Sequence, residues 1–295
     1  MNLYEVKCMS RKGKPARQRK GKPLQDSQNF LLTAKSEFFI REAYKTLRTN
    51  VSFSLAEKDG CKAIVVSSPM QGEGKSITAL NLAISYTMAD YRVLLIDCDL
   101  RRPQQARLMK MSSRTGLSNL IMKPELLSSA ILHTEIQGLD VILSGDIPPN
   151  PSELLGSQRM QNLLDGLRET YDFIILDTPP VNMVTDAVVL APRSEGVLLV
   201  VRSNHSERGS VLYATDQLQY AKAKILGFVL NGVEMGNTQY GGKKYRYRSY
   251  SRYKGYGGYG AYGYGGYGGY GYGYSSSMPQ YFAEGSEEEL KGEDA

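Results

Sequence analysis

Six short apolar runs recur along the middle of the chain: Ala63 to Ser67, Val93 to Asp97, Leu139 to Leu143, Phe173 to Asp177, Val197 to Val201 and Ile225 to Leu230. Their apolar positions are consecutive rather than alternate, so both faces of each run must be buried, which predicts strands of a parallel sheet covered on both sides. Between them lie stretches with helical spacing, including Ser76 to Met88, Gln158 to Thr170 and Arg208 to Ala223. This alternation is that of repeated βαβ units, so the predicted fold class is α/β, a doubly wound and mostly parallel sheet in one domain. Ahead of the first strand, Ser36 to Leu55 sets Phe39, Ala43, Leu47 and Val51 on one stripe, which predicts a helix or helical pair. After Val233 the periodicity stops. The remaining chain is Gly and Tyr with scattered Lys and Arg, and with so few aliphatic side chains it cannot offset its ordering entropy, so a disordered tail is expected.

Charge sharpens these boundaries. The 295 residues carry a formal charge of +6, but residues 1 to 24 hold +7, residues 240 to 281 hold +6 and residues 282 to 295 hold −5, leaving −2 for the body. A slightly acidic body argues against a globular nucleic-acid-binding face, and no nucleic-acid partner is expected. The chain therefore divides into a basic, flexible arm (1–35), a folded domain with a leading helix (36–239), a Gly/Tyr-rich segment (240–281) and an acidic end (282–295). Of the 21 tyrosines, 14 lie in the Gly/Tyr-rich segment. No apolar run approaches the roughly 20 residues that span a bilayer, and no apolar stretch comes after the basic N-terminus, so the expected location is cytoplasmic. Cys8, Cys61 and Cys98 are odd in number and lack CxxC spacing, which argues against a disulfide framework or a zinc site.

The first run leads into Ser67-Ser68-Pro69-Met70-Gln71-Gly72-Glu73-Gly74-Lys75-Ser76 and then a helix. Strand, loop and helix in that order make a phosphate loop: backbone N–H groups of Gln71 to Ile77 and a helix N-terminus surround the phosphates, Lys75 reaches the terminal oxygens and the Ser76 hydroxyl serves Mg²⁺. The strict pattern has Gly where Pro69 stands. Two further strands end in carboxylates, Asp97 and Asp99 in Leu94-Leu95-Ile96-Asp97-Cys98-Asp99-Leu100-Arg101, and Asp177 in Phe173-Ile174-Ile175-Leu176-Asp177-Thr178-Pro179-Pro180. Strand C-termini are where open α/β sheets bind ligands, and an Asp there suits a Mg²⁺ site.

These motifs, with the tyrosine run, resemble the bacterial tyrosine kinases of capsule and exopolysaccharide synthesis over roughly residues 36 to 235. Lys75 and Ser76 match that family's Walker A box, Asp97-x-Asp99-x-Arg101 its second, A′ box, and Asp177 its Walker B box. Pro149 to Leu155 and Thr185-Asp186-Ala187 look like further family stretches. The resemblance implies ATP and Mg²⁺ as cofactors, Asp97 as the base toward a tyrosine hydroxyl, Asp99 and Asp177 holding Mg²⁺ with Ser76, Lys75 stabilising transferred charge, Arg101 assisting, and Asn231 near adenine. It also implies that Glu42-x-x-Lys45-x-x-Arg48, with Lys in place of the family's first Arg, mediates a homo-oligomeric ring, with an octamer among the sizes open to it.

The phosphorylated residues implied are Tyr240, Tyr245, Tyr247, Tyr250, Tyr253, Tyr256, Tyr259, Tyr262, Tyr264, Tyr267, Tyr270, Tyr272 and Tyr274. Each phosphate adds about −1.5 to −2, so three or four cancel the segment's positive charge. The implied partners are a transmembrane polysaccharide co-polymerase that activates the kinase and recruits it to the inner face of the plasma membrane, and a cognate phosphotyrosine phosphatase. The cluster of Arg11, Lys12, Lys14, Arg17, Arg19, Lys20 and Lys22 is either a contact with anionic lipid or a solvated arm. The alternative reading is a division-site or partition-type P-loop ATPase that phosphorylates nothing. That class has an extra lysine five residues before the catalytic one, where this chain has Met70.

Overall fold

A computed structural model of the chain describes residues 3–5, 31–57 and 59–233. The tyrosines from Tyr240 onward, the acidic end and most of the basic arm lie outside these residues.

Among the described residues eight strands form one sheet: β1 (Leu3–Glu5), β2 (Lys62–Ser67), β3 (Val93–Asp97), β4 (Ile131–His133), β5 (Leu139–Ile142), β6 (Phe173–Asp177), β7 (Gly196–Arg202) and β8 (Ile225–Asn231). Their spatial order is β1-β8-β7-β2-β6-β3-β5-β4, parallel throughout except for the antiparallel β4–β5 pair. The six predicted apolar runs are β2, β3, β5, β6, β7 and β8. Two short edge strands fall outside that prediction. β4 is only three residues long and incompletely buried, and β1 lies inside the span assigned to the basic arm, pairing Leu3 with Phe228 and Glu5 with Leu230 through the backbone.

Nine helices complete the described fold: α1 (Phe38–Ser54), α2 (Lys75–Thr87), α3 (Gln105–Met109), α4 (Leu117–Met122), α5 (Leu127–Ala130), α6 (Pro151–Leu155), α7 (Gln158–Leu167), α8 (Asp186–Leu190) and α9 (Arg208–Tyr220). Successive residues of each central strand feed opposite cores. Leu94, Ile96, Ile174 and Leu176 point to the layer of α4, α7 and α8, whereas Ile64, Val66, Leu95 and Ile175 point to the layer of α1 and α2. Burial on both faces is why these runs read as continuous rather than alternating apolar sequence. The stripe on α1 is rotated from the predicted one: Tyr44, Leu47 and Val51 are buried while Phe39 is exposed. Leu32, also within the predicted arm, is buried and donates its N–H to Asn81 Oδ1 on α2 at 2.8 Å. Among the described residues no helix is long and apolar enough to cross a membrane.

At the N-terminal edge of the sheet, Glu195 accepts from Ala63 N at 2.5 Å and from Arg168 Nη1 at 2.9 Å, and the same guanidinium donates to the Cys61 and Arg193 carbonyls. Removing one partner of a largely buried charge pair leaves the other uncompensated, and here it also orphans a strand N–H. Glu195→Ala is expected to lower unfolding free energy by about 2–4 kcal/mol in urea titration while leaving nucleotide affinity unchanged, because the loops that bind lie at the opposite edge.

Candidate active site

The parallel pairing of β2 with β6 and of β6 with β3 brings three loops to one edge of the sheet. The register sets Asp97 directly opposite Asp177, so strand pairing alone places two carboxylates side by side. Gly72 and Gly74 take left-handed conformations, φ 85° and 97°, which turn the phosphate loop into the start of α2. A Cβ on Gly74 would stand 2.0 Å from Asn231 Nδ2.

Lys75 Nζ is the meeting point. It donates to Asp99 Oδ2 at 3.0 Å, Ser76 Oγ at 3.1 Å and Asp177 Oδ1 at 3.3 Å. Burial works against the ammonium's charge, but Asp177 and Asp99 outweigh it and hold the proton affinity of Lys75 above its usual range. Asp97 is fully buried, and burial followed by the charge of Asp177 pushes its carboxyl up to about 7. Its oxygens accept three backbone N–H groups, from Asp99 at 3.2 Å, Gln104 at 3.1 Å and Gln105 at 3.0 Å, so Asp97 also organises the loop after β3. The A′ carboxylate that lines the cleft is Asp99.

Not every predicted residue joins this cluster. Arg101 lines the same cleft but bonds to none of the groups around Lys75; it pairs with the fully buried Asp186, Nε to Oδ2 at 3.3 Å, while its Nη2 donates to Ser152 Oγ at 3.3 Å. It thereby ties the A′ loop to α6 and α8, the two further stretches singled out in the sequence. Gln71 is exposed and accepts from Arg102 Nη1 at 3.2 Å, and Ile77 lines the cleft. Glu73 is fully buried, its side chain receiving Met70 N at 2.8 Å and the Ser206 hydroxyl, so it braces the loop from within. Asn231 donates to the Glu73 carbonyl at 2.9 Å, and Arg202 Nη1 to that of Gly72 at 3.0 Å. Glu42 and Lys45 form an i,i+3 ion pair at 3.8 Å on α1, whereas Arg48 reaches inward to the Ser85 carbonyl.

Sequence reasoning missed Gln105, Ser206 and Arg202, since isolated polar residues in loops or opening a short helix carry no periodic signal. The cleft beside Lys75 measures about 610 Å³ and runs from Gly74 and Asp99 past Arg107 and Leu108 to Pro180 and Met183. A larger one of about 770 Å³, mostly apolar, lies between α4, α6 and α7 and has no such lysine–carboxylate cluster. The lysine–carboxylate cluster opens into the smaller cleft. Its ligand set suits Mg²⁺, because hydroxyl and carboxylate oxygens converge on one cation position. Among the described residues no group of three or more His, Cys, Asp or Glu side chains is arranged to hold a metal, and Mg²⁺ needs none, taking one or two carboxylates with phosphate and water.

Fold and loop together define a nucleotide-binding protein of the P-loop class, and a family described as AAA domain matches residues 61–225. The chain is 34% identical over 224 residues to the tyrosine-protein kinase YwqD of Bacillus subtilis, covering 76% of this chain and 94% of that one. It is 34% identical over 213 residues to the tyrosine-protein kinase CpsD of Streptococcus agalactiae, covering 70% and 92%. Among solved structures, the kinase domain of the Escherichia coli tyrosine kinase ETK matches at TM-score 0.65 and 33% identity, over 78% of this chain and 88% of that one. The chain belongs to the bacterial tyrosine-protein kinase family. Its membership sets aside the partition-type ATPase reading.

Gly74→Ala combines a left-handed backbone with a clash on Asn231, and strain of this kind costs about 1–3 kcal/mol. Fluorescent-nucleotide titration is expected to show a loss of affinity of about 5- to 150-fold, since 1.4 kcal/mol is a factor of ten.

Proposed function

We propose that the chain binds ATP with Mg²⁺ and transfers the γ-phosphoryl group to tyrosines of its own C-terminal run, Tyr240 to Tyr274, and that this modification regulates capsular or extracellular polysaccharide synthesis and export. The observation that carries the reading is the convergence of Lys75, Ser76, Asp99 and Asp177 where β2, β3 and β6 end. Mg²⁺, when bound, would neutralise phosphate oxygens, and Ser76, Asp99 and Asp177 are the residues that would hold it. Lys75 is then free to exchange its carboxylate partners for the transferring group. A phenol has a pKa near 10, so a proton acceptor is required. By the family resemblance Asp97 fills that role; its carboxyl is held near 7, but Asp99 is the one lining the cleft, so the division of roles between the two rests on the resemblance. Arg101 acts by positioning, through Asp186 and Ser152.

The run of 14 tyrosines supports an acceptor segment whose +6 charge inverts as phosphate accumulates. By the family resemblance the reading extends to a membrane-bound activator that recruits the kinase to the inner membrane face, a homo-oligomeric ring using Glu42, Lys45 and Arg48, and a phosphatase that resets the tail. The basic arm is the segment nearest in chemistry to an anionic membrane.

Purified protein incubated with ATP and Mg²⁺ is expected to gain phosphotyrosine between residues 240 and 281, read by mass spectrometry, with none in Lys75→Met. ATP hydrolysis without phosphotyrosine would instead indicate a switch ATPase.

A further inference from the structure

Gln105 opens α3, is fully buried, and appears in none of the roles above. Its backbone N–H is one of the three donors to Asp97. Its side-chain Nε2 makes two bonds, to Asp177 Oδ2 at 2.8 Å and to the Ser76 carbonyl at 3.1 Å. Its Oε1 is buried with no hydrogen-bond partner. An unpaired buried acceptor costs about 1–3 kcal/mol, which an apolar side chain of the same size would avoid, so packing alone does not account for a glutamine here.

The two oxygens of Asp177 are distinguished by their partners. Oδ2 is occupied by an amide that cannot leave without orphaning a buried donor, and Oδ1 faces only the Lys75 ammonium. We infer that Gln105 is a positioning residue for the cation site: by fixing Asp177 Oδ2 and the Ser76 backbone at once, it presents Asp177 Oδ1 and the Ser76 hydroxyl as a matched pair of ligands. An amide suits this task because it is neutral and donates. A carboxylate there would repel Asp177, and a lysine would compete for the cation's place. Partners that orient metal ligands in this way are typically worth 10–100-fold in metal affinity. The inference deepens the proposed function and rests on its assignment of Mg²⁺ to Ser76, Asp99 and Asp177.

The test uses the full chain, with binding of a fluorescent ADP analogue monitored as Mg²⁺ is titrated and, separately, in EDTA. Gln105→Met keeps the volume and removes the donor, and Gln105→Asn keeps an amide too short to span both acceptors. Both are expected to raise the half-saturating Mg²⁺ concentration about tenfold while binding in EDTA stays within twofold of wild type. Adding Gln105→Met to Asp177→Asn should shift the Mg²⁺ midpoint no further, because the effect runs through Asp177. An unchanged midpoint in the single variants, a parallel loss of binding in EDTA, or full additivity in the double variant would overturn the inference. Absence of any Mg²⁺ dependence in the wild type would instead overturn the cation assignment itself.

Discussion

A buried ammonium surrounded by carboxylates is the interaction on which the rest of this molecule turns. The pairing of β3 with β6 forces Asp97 and Asp177 together, and Asp99 comes two residues later. Three carboxylates out of water repel one another unless something positive or hydrogen-bond-donating stands among them. The protein meets this in two ways. Asp97 is satisfied by three backbone N–H groups of its own loop, while Asp99 and Asp177 share Lys75, Asp177 taking the Gln105 amide as well. An arrangement in which one lysine satisfies two carboxylates is also one that a divalent cation can take over, freeing the lysine for phosphate.

For that exchange to be useful, the loop bearing Lys75 has to keep its shape while its charge partners change. It is braced from three directions. Glu73 reaches inward to Met70 N and Ser206, Asn231 packs on Gly74 and holds the Glu73 carbonyl, and Arg202 holds that of Gly72. On the other side of the cleft, Arg101, Asp186 and Ser152 lock the A′ loop to α6 and α8. In the proposed exchange few residues change partners, and the braces on Gly72, Glu73 and Met70 involve none of them. Such preorganisation is what electrostatic catalysis requires.

Much of this was legible in the sequence, for physical reasons that differ from part to part. The central strands announce themselves because double burial demands consecutive apolar residues, and the phosphate loop because only glycine adopts its left-handed turns without strain. Asp97, Asp99 and Asp177 were legible because each ends or directly succeeds such a strand. Asn231 reads as a residue of the site, but its contact with the phosphate-loop backbone depends on how β8 docks beside β7. Arg101 reads as an assisting group, but its pairing with Asp186, 85 residues apart, is encoded by no local pattern. Gln105 gives no signal because one polar residue at the head of a five-residue helix looks like any cap. β1 is hidden in a basic stretch, since an edge strand paired through its backbone needs no apolar run of its own.

If Lys75 serves Asp99 in the metal-free protein and phosphate in the loaded one, Asp99 competes with nucleotide until a cation relieves it. Measuring ATP affinity of Asp99→Asn in EDTA and in Mg²⁺ tests this most directly. Neutralising the competitor should raise metal-free affinity severalfold, on the order of 1 kcal/mol, while phosphotyrosine formation in Mg²⁺ falls. Metal-free affinity that stays level or drops would contradict the account.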